Sequence, residues 1–558
     1  MRIGRGSAAN VDAVHVYRGV FLTGSLGALV LSLSGCAGDT GLERTQALEA
    51  GLAASTDLTV DTSVRYQTIT GFGASSAWTG GSISEAWADT FFSPERGLGL
   101  SLLRIHIAPD GTTVETLTAE RAVARGASVW AAPWSPPGAW KTSGTDNHGG
   151  SLLPEHYQDW ADRLAAFTVA MKAKGVPLVA LSAQNEPNWS ADWETCVYTP
   201  DELVTFVGQY LGPTLARESP DTKLIAPETI DWNTLEQFAE PLLADPASRD
   251  ALSVIAVHAY GGVPYPYSAP AEAGKEFWET EVSYDTDSSF QAALETARQV
   301  QQHLVVGGVN AFHYWWLVSD TTGGLMRGGE LQPQAYGLGH YSKFVRPGYV
   351  RVDVPEAPQT GVSSSAYYDP ESHRTVLVLV NETTQELSSS LHLQGVSPLQ
   401  VRPWVTTADE SLSAHPPISF TNPLEYSFAA QSITSLVFSE TLEATGAGGE
   451  GGARAADGGA GGEPNVDSTS SAGAPDNEPN GTGGAPSADG DPAANGGGTD
   501  SATPSPPEPD LTAIAPRKRG AYAACAMSST TGPAPIALIV SYVLLAFQRR
   551  RRRTQSRR

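Results

Sequence analysis

From Leu58 to Phe344 short apolar runs alternate with longer amphipathic stretches. A brief apolar run bounded by turn residues reads as a buried parallel strand. Such runs fall near Thr68–Phe72, Leu102–Ile107, Val129–Ala132, Leu178–Gln184, Lys223–Ala226, Val254–His258, Phe277–Glu281 and Ala311–Trp315. Between them, Tyr157–Lys174, Pro200–Glu218, Trp232–Leu243 and Ser288–Leu304 carry the three- and four-residue apolar spacing of helices packed on one face. Strand-then-helix units repeated eight times predict an α/β fold, a closed (β/α)8 TIM barrel over 58–345. An open doubly wound sheet competes. It needs a glycine-rich phosphate turn after the first strand, and Gly71-Phe-Gly73 is too short to make one.

After Arg346 the period shortens. Thr375–Val380, Ser389–Leu393, Leu399–Val405 and Ile433–Phe438 are strand-like, with Asn, Gly and Pro turns between them. This predicts a small antiparallel β-sandwich as a side domain over 346–440. Leu58–Tyr66 also looks extended, so 58–67 can join it. Residues 441–516 are rich in Gly, Ala, Ser, Pro, Asp and Glu and lack aromatic side chains, which makes a flexible linker.

The ends are of another kind. Residues 1–36 place Arg2, Arg5 and Arg18 before an apolar run from Val20 to Leu33, then Leu33-Ser-Gly-Cys36, the order of an export signal. Its close resembles a bacterial lipobox, which implies cleavage before Cys36 and a lipid on that sulfur; 37–57 follow as a tether. Within 517–558, Arg517-Lys-Arg519, Cys525, an apolar run Pro535–Phe547 and five arginines at 549–553 resemble the C-terminal sorting tails of myxobacterial surface proteins. The expected place is the cell envelope or outer surface, held to a membrane by lipid, by tail, or by both.

Charge narrows the partners. The chain carries −25 overall, and because the tail is wholly basic, the body is more acidic than that total. Such a body does not track a nucleic-acid backbone. Only Cys36, Cys196 and Cys525 are present, so the body has one thiol, read as a half-buried structural residue rather than a nucleophile. No Cys/His spacing suggests zinc, and neither a metal nor a cofactor is expected.

The chemistry gathers at strand ends. Leu178-Val-Ala-Leu-Ser-Ala-Gln-Asn-Glu-Pro-Asn-Trp189 ends a buried strand in an amide and a carboxylate, Asn185 and Glu186, with Trp189 and Trp193 nearby as a stacking wall. Phe277-Trp-Glu-Thr-Glu281 ends another strand in two carboxylates. In a parallel barrel, reactive groups sit at these carboxyl ends. Two facing carboxylates suit glycosidic cleavage, which needs one acid and one nucleophile or base. Spacing favours Glu281 over Glu279, which would lie one layer deeper and need a basic or hydrogen-bonding partner.

An ordered set of motifs over about residues 58–440 resembles glycoside hydrolase family 30, of the clan A retaining enzymes. The set comprises Ile69-Thr-Gly-Phe-Gly-Ala-Ser-Ser-Ala-Trp78, Leu103-Arg-Ile-His-Ile107, Ala132-Pro-Trp-Ser-Pro-Pro137 and Gln184-Asn-Glu-Pro187. It continues through Val257-His-Ala-Tyr260, Trp278-Glu-Thr-Glu-Val282, Tyr314-Trp-Trp316 and Tyr341-Ser-Lys-Phe-Val-Arg-Pro-Gly-Tyr349. The resemblance implies Glu186 as general acid/base and Glu281 as nucleophile. It implies Arg104 as the nucleophile's partner and Asn185 as a bond to the sugar 2-hydroxyl. Trp78, Trp134, Tyr260 and Trp315 are expected to offer faces to sugar rings, with Trp140 and Trp316 as further candidates. His258 is either near the cleft or a core histidine.

The expected substrate is a β-linked plant-type polysaccharide, closest to the xylanase branch through the Tyr265–Tyr267 loop and the Phe344–Arg351 run. Glucuronoxylan-specific members carry an arginine pair after the strand-eight tryptophans, where this chain has Ser319 and Asp320. Strict dependence on glucuronate is therefore not expected, and β-1,6-galactanase, β-1,6-glucanase and glucosylceramidase-type activities compete. A non-catalytic carbohydrate-binding surface protein is the alternative from another class.

Overall fold

The computed structural model describes residues 56–441 except 80, 285 and 287. The export signal, most of the tether, the linker and the sorting tail lie outside the described residues. Among the described residues no helix is long and apolar enough to cross a membrane.

The first strand, β1 (Thr56–Thr68), belongs to a side sheet. Eight parallel strands then close a ring: β2 (Gly71–Ser75), β3 (Leu102–Ile107), β4 (Ser128–Pro133), β5 (Leu178–Ser182), β6 (Lys223–Thr229), β7 (Val254–His258), β8 (Glu276–Glu281) and β9 (Ala311–Val318). Each pairs with the next, and β9 returns to β2 through Gly71↔Ala311 to Ser75↔Trp316. The strand expected at Thr68–Phe72 lies at Gly71–Ser75 instead, because Thr68 ends β1 and Ile69–Thr70 turn the chain into the barrel.

Alternation sorts the side chains. Trp130, Ala132, Ala180, Ile225, Val254, Ala256, Trp278 and Ala311 form an inner cluster. Their neighbours Val129, Ala131, Leu181, Leu224, Ile255, Val257, Phe277 and Phe312 pack outward with the helices. Burial on both faces explains why these strands read as unbroken apolar runs. Gly73 has a packing role: a Cβ there would lie 2.6 Å from the His313 ring and 2.8 Å from the Leu102 carbonyl.

The side sheet has ten strands, including Thr375–Asn381, Leu387–Gln394, Gln400–Thr406 and Ser432–Ser439 near the expected places. It also includes Val350–Asp353, Val362–Tyr368 and Leu424–Phe428, which were not expected. It is not wholly antiparallel, since β1 runs parallel to Leu387–Gln394 from Thr56↔Ser389 to Asp61↔Gln394. Thr375–Asn381 is buried on both sides: Leu377 and Leu379 face the sandwich core, while Val376, Val378 and Val380 join the barrel's helices. Polar bonds pin this junction. His340, on the helix Pro333–Ser342, meets Ser435 Oγ and Thr406 Oγ1, each at 2.8 Å.

Candidate active site

Strand ends deliver the ionisable groups to one place. Arg104 is the third residue of β3, Glu228 lies at the end of β6, His258 closes β7 and Glu281 closes β8. Asn185 and Glu186 follow β5, where Asn185 N–H donates to the Pro133 carbonyl at 2.9 Å. Glu186 and Glu228 both take left-handed backbone, φ 46° and 55°, and Glu186 N–H donates to the Glu228 carbonyl at 3.1 Å. Non-glycine residues there cost about 1–3 kcal/mol each, so neighbouring contacts must hold them in place.

The Arg104 guanidinium is wholly buried and is the hub. It donates through Nη1 to Glu281 Oε2, and through Nη2 to Asn185 Oδ1 at 2.6 Å and Glu228 Oε1 at 3.0 Å. Trp134, Trp130 and Trp315 surround it with ring centroids 4.5, 5.2 and 5.5 Å from Cζ. His258 sits 3.1 Å from Glu186 Oε1 through Nδ1 and 3.4 Å from Glu228 Oε1 through Nε2. The Tyr260 hydroxyl donates to Glu281 Oε1 at 2.7 Å. One oxygen each of Glu186 and Glu281, with a His258 nitrogen, fall within 4.8 Å of one another. The two carboxylates therefore stand together, nearer the short separation of double displacement than the wide one that leaves room for an inverting water.

Burial and neighbours sort the charges. Burial pushes the Glu186 carboxyl up and the Glu281 charge adds to it, while His258 and Arg104 hold back part of the rise. Burial works against Glu228 too, but Arg104 and His258 outweigh it and bring that carboxyl down to about 2. Burial alone would lower His258; Glu281, Glu186 and Glu228 outweigh it and push the imidazole up to about 10. Glu279 is pushed well up by burial and accepts from backbone, Glu281 N–H at 3.0 Å and His313 N–H at 2.9 Å. Its partners are thus amides, not a basic side chain. A register shift between β7 and β8 lies opposite Glu279 and Glu281.

Glu186, His258 and Glu281 bring enough atoms together to face a cation. The protein's own cations already fill that need: Arg104 lies against Glu281, and a protonated His258 has no free lone pair.

The aromatic candidates divide. Trp78, 43% exposed, stands beside His106 and Trp134 with centroids 4.3 and 6.0 Å away. Trp134, Trp315 and Trp316 continue the strip at 5.7 and 5.3 Å. Trp134 and Trp315 are nearly buried against Arg104, so only their edges can meet a ligand. Tyr260 is 40% exposed while its hydroxyl reaches Glu281. Trp140 instead stacks on His156 and under Arg163, against the helix Tyr157–Ala173, as a packing residue. Cys196 is fully buried, and burial pushes its thiol up to about 12, as an inert structural residue requires.

Sequence reasoning missed Glu228, although Leu224-Ile-Ala-Pro-Glu228 repeats the pattern of an apolar run ending in Pro and Glu. It also missed the buried Glu115, which accepts from Ser76 Oγ at 2.6 Å and His106 N–H at 3.2 Å and is pushed by burial to about 7. Glu194, 2.9 Å from His106 Nε2, ties the loop after β5 to the end of β3.

A parallel barrel whose strand ends bring two carboxylates together, one of them bonded to an arginine, suits a glycoside hydrolase. Residues 112–327 match the family model described as the Glycosyl hydrolase family 30 TIM-barrel domain. The glucuronoxylanase XynC of Bacillus subtilis is 32% identical over 402 residues, covering 69% of this chain and 92% of that one. The chain belongs to glycoside hydrolase family 30. The solved glycoside hydrolase family 30 subfamily 8 xylanase from Clostridium acetobutylicum aligns with TM-score 0.65 and 33% identity over 69% of this chain and 100% of that one. The lysosomal acid glucosylceramidase of Mus musculus is 27% identical over 305 residues, 47% of this chain and 57% of that one.

Proposed function

We propose that this enzyme cleaves β-linked xylan-type polysaccharide with retention, in endo fashion, at the outer surface of the cell. The observation that carries the reading is the Glu186–Glu281 pair, with oxygens within 4.8 Å of one another and set in unlike surroundings. Glu281 attacks the anomeric carbon as a carboxylate, oriented by Arg104 and Tyr260. Glu186 gives its proton to the departing sugar oxygen, then takes one from the water that opens the ester. Asn185, fixed by Arg104, is placed to meet the 2-hydroxyl. The xylanase-named relatives at 32–33% identity support the substrate class.

Endo action is supported by an aromatic strip on one side of the ring and an open pocket in the loops on the other. Trp78, Trp134 and Trp315 come from the β2, β4 and β9 side of the ring. Across it, Trp232, Asn233, Glu236, Gly262, Val263 and Tyr265 line an open pocket of ≈ 560 Å³ in the loops after β6 and β7. Asn188, two residues past Glu186, is tied to that pocket's loop through Thr234 Oγ1 at 2.8 Å and Ile230 N–H at 3.0 Å. Exposed Asp320 would repel a uronate, so the proposed xylanase does not depend on glucuronate side groups. The lipobox and the basic tail support surface anchoring, and mass spectrometry of the mature termini tests it.

The deciding experiment assays product profiles on xylan, glucuronoxylan, β-1,6-galactan and β-1,6-glucan, with Glu186→Gln and Glu281→Gln as controls. Xylo-oligosaccharides from both xylans are expected. Release from only the β-1,6-glycans would overturn the substrate, and full activity in both variants would overturn the site.

A further inference from the structure

Glu228 is a fully buried carboxylate beside the reacting pair, within hydrogen-bond reach of both Arg104 and His258. Its Oε1 lies 3.0 Å from Arg104 Nη2 and 3.4 Å from His258 Nε2. The other nitrogen of the same imidazole is 3.1 Å from Glu186 Oε1 and 3.8 Å from Glu281 Oε2. The Glu228 carbonyl also holds the Glu186 amide, so Glu228 reaches the acid by two routes, one through backbone and one through the His258 ring.

We propose that Glu228 is a positioning residue for the proton transfers of Glu186: it holds His258 as a cation, Nδ1–H toward Glu186, through both halves of the reaction. This rests on the double-displacement reading above. In the first half Glu281 is an anion near His258. As its oxygen bonds to the anomeric carbon, the bond to the leaving sugar oxygen breaks and that oxygen takes the Glu186 proton. The charge of Glu281 is then gone, and Glu186, now a carboxylate, must accept a proton from water as the ester opens. An anion that does not take part is needed to keep the imidazole charged throughout. A neutral imidazole at 3.1 Å would compete for the Glu186 proton, whereas an imidazolium cannot.

The surroundings leave Glu228 as that anion. Arg104 on β3, Glu186 after β5, Glu228 on β6, Glu279 and Glu281 on β8, His313 on β9 and Tyr260 after β7 face the imidazole or act on its charge. Burial drives His313 down to about 4, and loss of water around its hydroxyl together with the Glu281 charge drives Tyr260 well up, so these two stay neutral near pH 7. Burial pushes Glu279 up as well, and its two oxygens are taken by the Glu281 and His313 amides rather than by the imidazole. Arg104 is permanently charged and keeps Glu228 ionised.

The test compares Glu228→Gln and Glu228→Asp in the full chain, reading kcat/KM against pH on xylan and an aryl β-xylobioside, with ¹⁵N shifts of the His258 ring read separately. Losing the anion favours deprotonation of every neighbour. The basic limb of kcat/KM for Glu228→Gln should therefore move down by about one pH unit, a roughly tenfold loss above it, and Glu228→Asp should restore most of it. The His258 ring should lose its proton at lower pH in Glu228→Gln than in the parent. Superimposable profiles and ring shifts, with only the melting temperature changed, would reduce Glu228 to a structural role and overturn the proposal. A parent enzyme inactive on every β-glycan would instead strike at the function reading, and the ring titration would still judge the charge.

Discussion

The barrel mouth and the side sheet are built from the same element and buried to the same degree, yet they hold opposite contents. At the mouth Arg104, Glu186, Glu228, His258, Glu279 and Glu281 are each 5% exposed or less. Beyond Arg346, among the described residues, Arg351 is the one buried Asp, Glu, His, Lys or Arg, and it reaches Gln67 and Glu356 at the sheet's border. Leu58, Leu377, Leu391, Leu436 and Phe438 fill the interior there. Buried ions cost several kcal/mol apiece before pairing, and breaking one pair is worse than removing the set. Apolar burial has no such asymmetry. The mouth is thus organised for reactivity and the side sheet for cohesion, and substitutions should separate the two.

The largest effect is expected at Glu281→Gln, which should lower kcat by more than about 10⁴-fold on every glycan in a reducing-sugar assay. Residual activity within tenfold of the parent would move the nucleophile elsewhere. Glu186→Gln should cost about 10²–10⁴-fold on xylan but far less on a dinitrophenyl glycoside, whose leaving group needs no proton. The parent should lose kcat/KM as pH rises through the Glu186 value, which burial sets above the ordinary carboxylate range, because the acid must be protonated to act. In the side sheet, Leu391→Ala should cost about 2–5 kcal/mol in chemical denaturation and leave kcat unchanged well below the melting temperature. A matching fall in kcat would erase the division between the regions. The smallest shift is expected from Asp320→Arg. An exposed ion pair of about 1 kcal/mol would favour glucuronoxylan over plain xylan by several-fold; an unchanged ratio would place the decorations elsewhere.

Strand periodicity carried most of the architecture into view. Val254–His258 was read to the residue, and the helix of Tyr157–Ala173 to within one position. The first barrel strand was misplaced because β1 runs into it with a turn of two residues and no glycine or proline before Gly71. Val362–Tyr368 was missed because Ser363, Ser364 and Ser365 break its apolar pattern, although Ser364 and Ser365 are buried. At the site, Glu186, Asn185 and Glu281 meet as their positions at strand ends suggested, while Arg104, expected at the end of its strand, reaches them from the middle of β3. Glu228 escaped notice because its partners lie 124 and 30 residues away, and a Pro-Glu pair on its own looks like a turn. Which buried carboxylate is paired by a guanidinium and which by an amide is a property of closure, and no local pattern carries it.

The strand at Thr56 and the strand ending at Ser439 lie in the same sheet, so both ends of the described chain leave from the region that does no chemistry. Were the chain tethered at either end, as proposed above, the leash would pull on that sheet and not on the residues that react. Cutting or lengthening such a leash past Thr441 should leave turnover on dissolved oligosaccharides intact and change only how much solid the enzyme can graze.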